Sequence, residues 1–396
     1  MPSAEFLIVT DLHADNGHQL AKVEPESGLT DRLIDAGLVI QQANDYAIKH
    51  GITEIFFAGD LTHKKAIDTP TAKFLLGVFN SLEPGTTWHF LFGNHDRHDA
   101  SGLHATPDIL QVLGKRFQPF TDPEHAFTIS VSGGALVTIW PLPYDSEKRN
   151  IEQIEKMVGD AGKALPFSKR KGAQILLMHN NIIGAITDTG WESPTGIPIE
   201  ALKPFDAVFS GHYHNHQVVR ESEPLVVYVG SPLMLDFGDR DQERGFIHVK
   251  CGEAGAEYQR VLLDGLPRFY NVSCDLRDED VDEFDADFVS AVVAQFVLEL
   301  DNDFDGDYVK VIWKGTAQQL GTLDFDAVAE KLAFHGAKGV KQEQVTVPIH
   351  KARIEIKSTM SLKEMAERYA SSEAISTEGL DLEMLMRINA ELMESA

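Results

Sequence analysis

Five short apolar runs each lead into a residue that can bind a metal ion, and this coincidence limits the fold more than any other feature. EFLIVTD (5 to 11) ends in Asp11, EIFFAGD (54 to 60) in Asp60 and WHFLFGN (88 to 94) in Asn94. QILLMHN (174 to 180) carries His179, and DAVFSG (206 to 211) runs into His212. Runs of this length, rich in β-branched and aromatic residues and closed by Gly, Asp or Asn, predict β-strands. ALVTIWP (135 to 141) and LVVYVGS (225 to 231) have the same form. Helical patterns lie between several of them, such as RLIDAGLVIQQANDYAIKHG (32 to 51), which stops at Gly51. Strand and helix in alternation predict a layered α/β domain, whose functional loops gather at the carboxyl edge of the sheet.

The residues at these strand ends form a ligand set. In TDLHAD, Asp11 and His13 are two apart, so an extended exit from the strand puts them on one side. In AGDLTHKK, Gly59 allows a tight turn and Asp60 can bridge two ions with its two oxygens. FGNHDRHD adds the neutral oxygen of Asn94, LLMHNN adds His179, and SGHYHNH adds His212 and His214. The residues divide into two sites. Asp11, His13, Asp60 and His214 can hold one ion, and Asp60, Asn94, His179 and His212 the other. Cys251 and Cys274 are the only cysteines, too few for a thiolate cluster or a disulfide framework and typical of a reducing compartment. Nitrogen and oxygen ligands without sulfur suit manganese, iron or zinc better than calcium. Two such ions clamp a phosphoryl group for in-line attack. His95 lies outside the ligand set and can protonate the leaving oxygen or stabilise charge on phosphorus, with Asp96 to orient it. His98 and His216 are left without a role.

The composition excludes some functions. No run approaches the roughly 18–20 apolar residues of a membrane helix, and MPSAEFLIVTDLHAD has no basic segment of a secretion signal and reads as a first strand. A cytoplasmic protein is expected. The net charge of -26 argues against a chain that holds nucleic acid by bulk electrostatics. Basic points are local: Lys64, Lys65, Arg97 and SKRKG (168 to 172). After about residue 266, RFYNVSCDL, DADFVSAVVAQFVLELD, DYVKVIWKG, DFDAVAEKLAFHG and QVTVPIHKARIEI alternate strand and helix as a small α+β unit. The tail that begins SLKEMAERYASS has the spacing of two amphipathic helices.

D-x-H, G-D, G-N-H-D, H and G-H-x-H, present as Asp11-Leu-His13, Gly59-Asp60, Gly93-Asn94-His95-Asp96, His179 and Gly211-His212-Tyr-His214, resemble the pattern of the calcineurin-like metallophosphoesterases. The resemblance implies a four-layer β-sandwich flanked by helices around two metals. GDLTH, which places His63 three residues after Asp60, and YVGSPLMLDFGDRDQERGF (228 to 246) narrow it to the SbcD-type nucleases. These are the bacterial and phage counterparts of the Mre-eleven double-strand-break repair nuclease. This likeness implies a nuclease domain over 1–266, a capping domain over 267–357 and a helical segment over 358–396 that docks on an SMC-like ATPase of SbcC type. It also implies DNA as substrate, a catalytic role for His63 in handling that DNA, manganese ahead of Mg2+, Fe2+ or Zn2+, and a homodimer. The helix from Arg32 to His50 and the loop from Asp99 to Pro107 are candidate dimer contacts. The expected function is a two-metal DNA exonuclease and endonuclease. The alternatives are a small-substrate phosphoesterase, such as a cyclic-nucleotide phosphodiesterase or phosphoprotein phosphatase, and a non-catalytic scaffold subunit.

Overall fold

A computed structural model describes residues 3–17, 20–99, 104–130, 136–164, 173–239, 243–252, 255–277, 285–300 and 304–347 of the 396. SKRKG (168 to 172), the helical tail and part of the Asp99 to Pro107 loop lie outside the described residues. The described chain divides into two compact units. The first runs to Asn271 and takes in Glu299–Lys310 and Leu332–Lys341; the second comprises Val272–Leu298, Val311–Lys331 and the residues from Gln342.

The strands of the first unit are β1 (Ala4–Val9), β2 (Glu54–Ala58), β3 (Thr87–Leu91), β4 (Phe117–Pro119), β5 (Phe127–Ser130), β6 (Leu136–Leu142), β7 (Gln174–His179), β8 (Ala207–Gly211), β9 (Gln217–Arg220), β10 (Leu225–Tyr228), β11 (Gly245–Gly252) and β12 (Gly255–Leu262). They make two six-stranded sheets, in the orders β12-β11-β1-β2-β3-β4 and β5-β6-β7-β8-β10-β9. Each has a parallel centre: β1 with β2 and β2 with β3 in one, β6 with β7 and β7 with β8 in the other. The hairpin of β11 and β12 closes the first sheet by pairing antiparallel with β1.

Side-chain alternation sorts the core into layers. Along β1, Phe6 and Ile8 join one buried cluster while Leu7 and Val9 join another. The first cluster lies between the sheets and includes Phe56, Ile175, Leu177, Phe209, Val227 and Val249. The second packs the outer face of the first sheet against α1 (Asp31–His50) and α2 (Thr69–Ser81), through residues such as Val39, Ala43 and Phe79. On the outer face of the second sheet, Leu176, Met178 and Val208 pack with Ile154 and Met157 of α3 (Glu147–Ala164) and Leu202 of α4 (Ile199–Leu202). Helix, sheet, sheet and helix therefore stack in four layers. Strands covered on both faces must be apolar throughout, and all six residues of β7 are buried. Each large apolar side chain so buried contributes about 1.5–3 kcal/mol.

Helix ends follow local chemistry. Thr30 caps α1 by accepting from the Leu33 amide, and Gly51 ends it in the left-handed region at φ 70°. Asp68 caps α2 by accepting from the Thr71 amide. Among the described residues, no helix is long and apolar enough to cross a membrane.

The second unit carries the outer parts of a three-stranded sheet, β13 (Phe269–Asp275), β14 (Tyr308–Gly315) and β15 (Gly339–Thr346), with β14 central. It takes in most of α5 (Ala286–Leu300) and of α7 (Phe325–Phe334) and all of α6 (Ala317–Thr322). A capping box of Thr316 and Gln319 starts α6, and Gln319 Nε2 also donates to the Leu276 carbonyl at 2.9 Å. Trp313 Nε1 donates to Gln342 Oε1 at 3.0 Å.

Candidate metal centre

The carboxyl ends of β1, β2, β3, β7 and β8 bring Asp11, His13, Asp60, Asn94, His179, His212 and His214 to one edge. Asp60 lies at the middle. Its Oδ2 is 3.6 Å from His13 Nε2 and 3.2 Å from His179 Nε2, and its Oδ1 accepts the His95 amide at 2.8 Å. Asp11 Oδ1 is 3.9 Å from His13 Nε2 and 3.8 Å from His179 Nε2. Asn94 Oδ1 and His212 Nδ1 are 3.0 Å apart. The His13 and His214 rings are 4.9 Å apart and the His179 and His212 rings 5.4 Å apart, so the two histidines of G-H-x-H serve opposite ends of the cluster.

Backbone geometry departs from the sequence expectation. An extended exit from β1 is predicted, yet Asp11 and His13 have φ 51° and 49°; Asp60 and His212 are also left-handed, at 56° and 94°. Such conformations cost about 1–3 kcal/mol each in non-glycine residues and persist only where their surroundings fix them. Here the Asp11 amide donates to Gly59 O at 2.9 Å and the His13 amide to Asp60 O at 3.1 Å. The His212 amide donates to both Asp11 oxygens at 3.1 Å. The exit loops of β1, β2 and β8 thus hold one another in a shape that aims four side chains inward. The glycines leave room for them. A Cβ on Gly93 would lie 2.1 Å from Asp60 Oδ1, and one on Gly59 2.4 Å from His179 Nδ1. On Gly211 it would meet Thr10 Oγ1 at 2.1 Å and His179 Nδ1 at 2.7 Å.

These residues fit divalent ions. His13 is 8% exposed, and neither of its ring nitrogens has a hydrogen-bond partner among the described residues. A buried polar atom in that state is destabilising unless something binds it. His179 Nδ1 donates to the Ala58 carbonyl at 2.7 Å, which fixes the tautomer and leaves the Nε2 lone pair facing both carboxylates. The charges are strained as well. Burial pushes the Asp11 carboxyl up to about 6, against the pull of His179 and His214. Burial also opposes charge on His179, but Asp60 and Asp11 outweigh it and raise that imidazole to about 9. Burial and the neighbouring His179 depress His212 to about 3, and burial holds His13 well below the usual imidazole range. Asp60 is kept well below the usual carboxylate range: burial pushes it up, but His179 and His13 prevail. Protons and dications compete for these groups, and a set of two carboxylates, an amide oxygen and four imidazoles is a donor set for a divalent metal.

The catalytic candidates lie alongside. His95 and His63 stack with ring centres 5.4 Å apart, and His95 is 4.8 Å from His13. His95 Nδ1 donates to the His63 carbonyl at 2.6 Å. The expected orienting role of Asp96 is not what the structure shows. Asp96 is fully buried and accepts backbone amides from Asp60 at 2.7 Å, Gly93 at 3.0 Å and Thr62 at 3.3 Å. It ties the β2 and β3 exit loops together, and the backbone of His63 orients His95 instead. Burial and the charge on Asp60 push the Asp96 carboxyl up to about 7, against those amides. A cleft of about 460 Å³ opens beside His13, His63, His95 and His214, with Lys64 at its rim and Leu233, Leu235 and Phe237 on its wall. His98 is exposed on the loop after Asp96, with its amide on His104 O at 3.0 Å. His216 turns away, 3.3 Å from both the Val229 carbonyl and the Tyr258 hydroxyl. Cys251 and Cys274 are both buried.

The sequence reading missed three residues: Asp188, Asp239 and Arg244, which surround His214. Two lie within the quoted stretch from 228 to 246, but no spacing rule aims them at a histidine about 25–30 residues earlier.

A family model described as calcineurin-like phosphoesterase matches residues 4–216, from the first strand through the last histidine of SGHYHNH. The chain belongs to the calcineurin-like phosphoesterase family. Its curated relatives include exonuclease subunit 1 of Enterobacteria phage T4, 28% identical over 209 residues, which are 52% of this chain and 56% of that protein. The chain thus spans little more than half the length of that relative. Similar solved structures include a dimetal phosphatase from Danio rerio, with a TM-score of 0.41 and 8% identity over 66% of this chain and 99% of that one. Another is Vps29 complexed with zinc from Entamoeba histolytica, with a TM-score of 0.27 and 12% identity over 65% of this chain and 98% of that one. As a calcineurin-like phosphoesterase the chain is a hydrolase, and its His and Asp clusters can hold divalent metals.

Proposed function

We propose that this phosphoesterase is a two-metal DNA exonuclease and endonuclease, the catalytic subunit of a double-strand-break processing complex with an SMC-like ATPase. The observation that carries the two-metal reading is the position of Asp60 Oδ2, within 3.6 Å of His13 and 3.2 Å of His179. Asp11, His13, Asp60 and His214 would hold one ion, and Asp60, Asn94, His179 and His212 the other. Manganese is the proposed metal, and bound ions would supply Lewis-acid polarisation of a phosphoryl group and acidify water. The chain's own residues would do the rest. His95 Nδ1 is committed to the His63 carbonyl, so Nε2 is the nitrogen left to face the leaving oxygen, and it would give up a proton from the doubly protonated ring. Asp96 keeps the β2 and β3 loops in register around that step. His63, exposed and stacked on His95, is placed to handle the strand that bears the reacting phosphate.

DNA as substrate is supported by the likeness to a phage exonuclease subunit. The net charge of -26 favours a complex in which the ATPase and a second copy of the chain share the grip on DNA. The test is manganese-dependent cleavage of linear double-stranded DNA and of bis-nitrophenyl phosphate, with and without the ATPase. Cleavage of both substrates is expected. Turnover of the small ester with DNA untouched even beside the ATPase would replace this reading with a small-substrate phosphoesterase.

A further inference from the structure

His214 is gripped from behind by groups that make no part of the proposed ligand set. Its Nδ1 lies 3.7 Å from Asp239 Oδ1 and 3.8 Å from Asp188 Oδ2. Its amide donates to Asp188 Oδ1 at 2.8 Å, and its carbonyl accepts from Arg244 Nη1 at 2.6 Å. Asp239 is itself fixed. It is 2% exposed, accepts the Leu235 amide on Oδ2 at 2.8 Å, and pairs with Arg244 Nη2 at 3.7 Å. Arg244 Nη2 also donates to the Asp239 carbonyl and reaches Asn215 Oδ1 at 3.3 Å. Three segments thus converge on His214: 180–198 through Asp188, 212–216 by carrying it, and the stretch after β10 through Asp239 and Arg244.

We propose that Asp239 and Asp188 are positioning residues for His214, holding its proton on Nδ1 so that Nε2 is presented to the ion shared with Asp11 and His13. The chemistry is general. A metal-bound imidazole is oriented by what its other nitrogen donates to, and a carboxylate there both fixes the ring and makes it a stronger donor. The geometry also makes the effect one-sided. Among the described residues His214 clusters with Asp11 and His13, and neither Asp188 nor Asp239 makes a hydrogen bond or ion pair with His179, His212 or Asn94. The inference rests on the two-metal reading above, but it concerns affinity and not the substrate.

The experiment is manganese titration of the metal-free chain by calorimetry, for wild type, Asp239→Asn and Asp188→Asn, beside thermal melting of each metal-free protein. Wild type should take up two ions. Asp239→Asn should weaken one of them by about 10- to 100-fold and leave the other unchanged. Asp188→Asn should weaken the same ion to a smaller extent. Asp188 is half-buried, so its variant keeps the test open should Asp239→Asn fail to fold. Unchanged binding in Asp188→Asn and in a folded Asp239→Asn would overturn the proposal. So would equal weakening of both ions together with a lower metal-free melting temperature, because Asp239 would then be structural only. A wild-type chain that takes up no ion would overturn the two-metal reading along with it.

Discussion

His179 and His214 both offer an imidazole to Asp11, yet they are held by different means. His179 ends a fully buried strand, and its Nδ1 rests on the Ala58 carbonyl at 2.7 Å. His214 follows a loop, and its Nδ1 faces two carboxylates that other loops supply. In one half of the centre the sheet itself does the positioning, through a main-chain group that no substitution removes. In the other half side chains do it, and each can be changed alone. A two-metal site can therefore be rigid on one side and adjustable on the other.

Removing what the halves share should have the largest effect. Asp60→Ala deletes the oxygen between His13 and His179, and both manganese ions should be lost together with all detectable phosphodiester cleavage. Calorimetry decides this; one ion bound at wild-type affinity would show that Asp60 does not bridge. His95→Ala comes next. Its ring belongs to neither half, so two ions should still bind while cleavage falls by about 10²- to 10⁴-fold. Loss of an ion instead would make His95 a ligand.

The glycines separate the halves by steric means. In Gly93→Ala the new Cβ would lie 2.1 Å from Asp60 Oδ1, so Asp60 must move and both ions should weaken. In Gly211→Ala the collision is with Thr10 Oγ1 and His179 Nδ1, and the ion on the His179 side should weaken by about 10- to 100-fold more than its neighbour. Equal effects from Gly211→Ala would mean that strain spreads through the paired loops, and the distinction between the halves would fail.

The candidate site's grouping was legible in part because candidate ligands at strand ends leave two marks in a sequence: apolar runs of β-branched residues, and a polar residue after the run. Asp11, Asp60, Asn94, His179 and His212 carry both. The left-handed backbone at Asp11, His13, Asp60 and His212 carries neither mark, since it comes from hydrogen bonds between loops about 50–200 residues apart. Asp96 misled for the same reason. Adjacency to His95 suggested a partnership, whereas its carboxylate reaches across to the β2 loop. In the fold, the parallel strands other than the three-residue β4 were legible from their apolar runs. The hairpin of β11 and β12 was not, because His248, Lys250, Glu257 and Arg260 interrupt any such run. It closes the first sheet as an antiparallel edge, where polar alternation is allowed.

The smallest expected effect belongs to the third histidine of SGHYHNH. His216 has the same two-residue spacing as His212 and His214, and on spacing alone it is an equal candidate for the centre. β9 begins at the next residue, and the His216 ring lies between the Val229 carbonyl and the Tyr258 hydroxyl, each 3.3 Å away. A half-buried neutral hydrogen bond contributes about 0.5–1.5 kcal/mol. His216→Ala should therefore lower stability by no more than about 2 kcal/mol while both ions bind at wild-type affinity and cleavage is unchanged. Denaturant unfolding beside manganese titration checks both parts. Weakening of the ion on the His214 side would extend the adjustable half of the centre by one residue, because His214 and His216 share a loop whose shape would then matter as much as the carboxylates behind it.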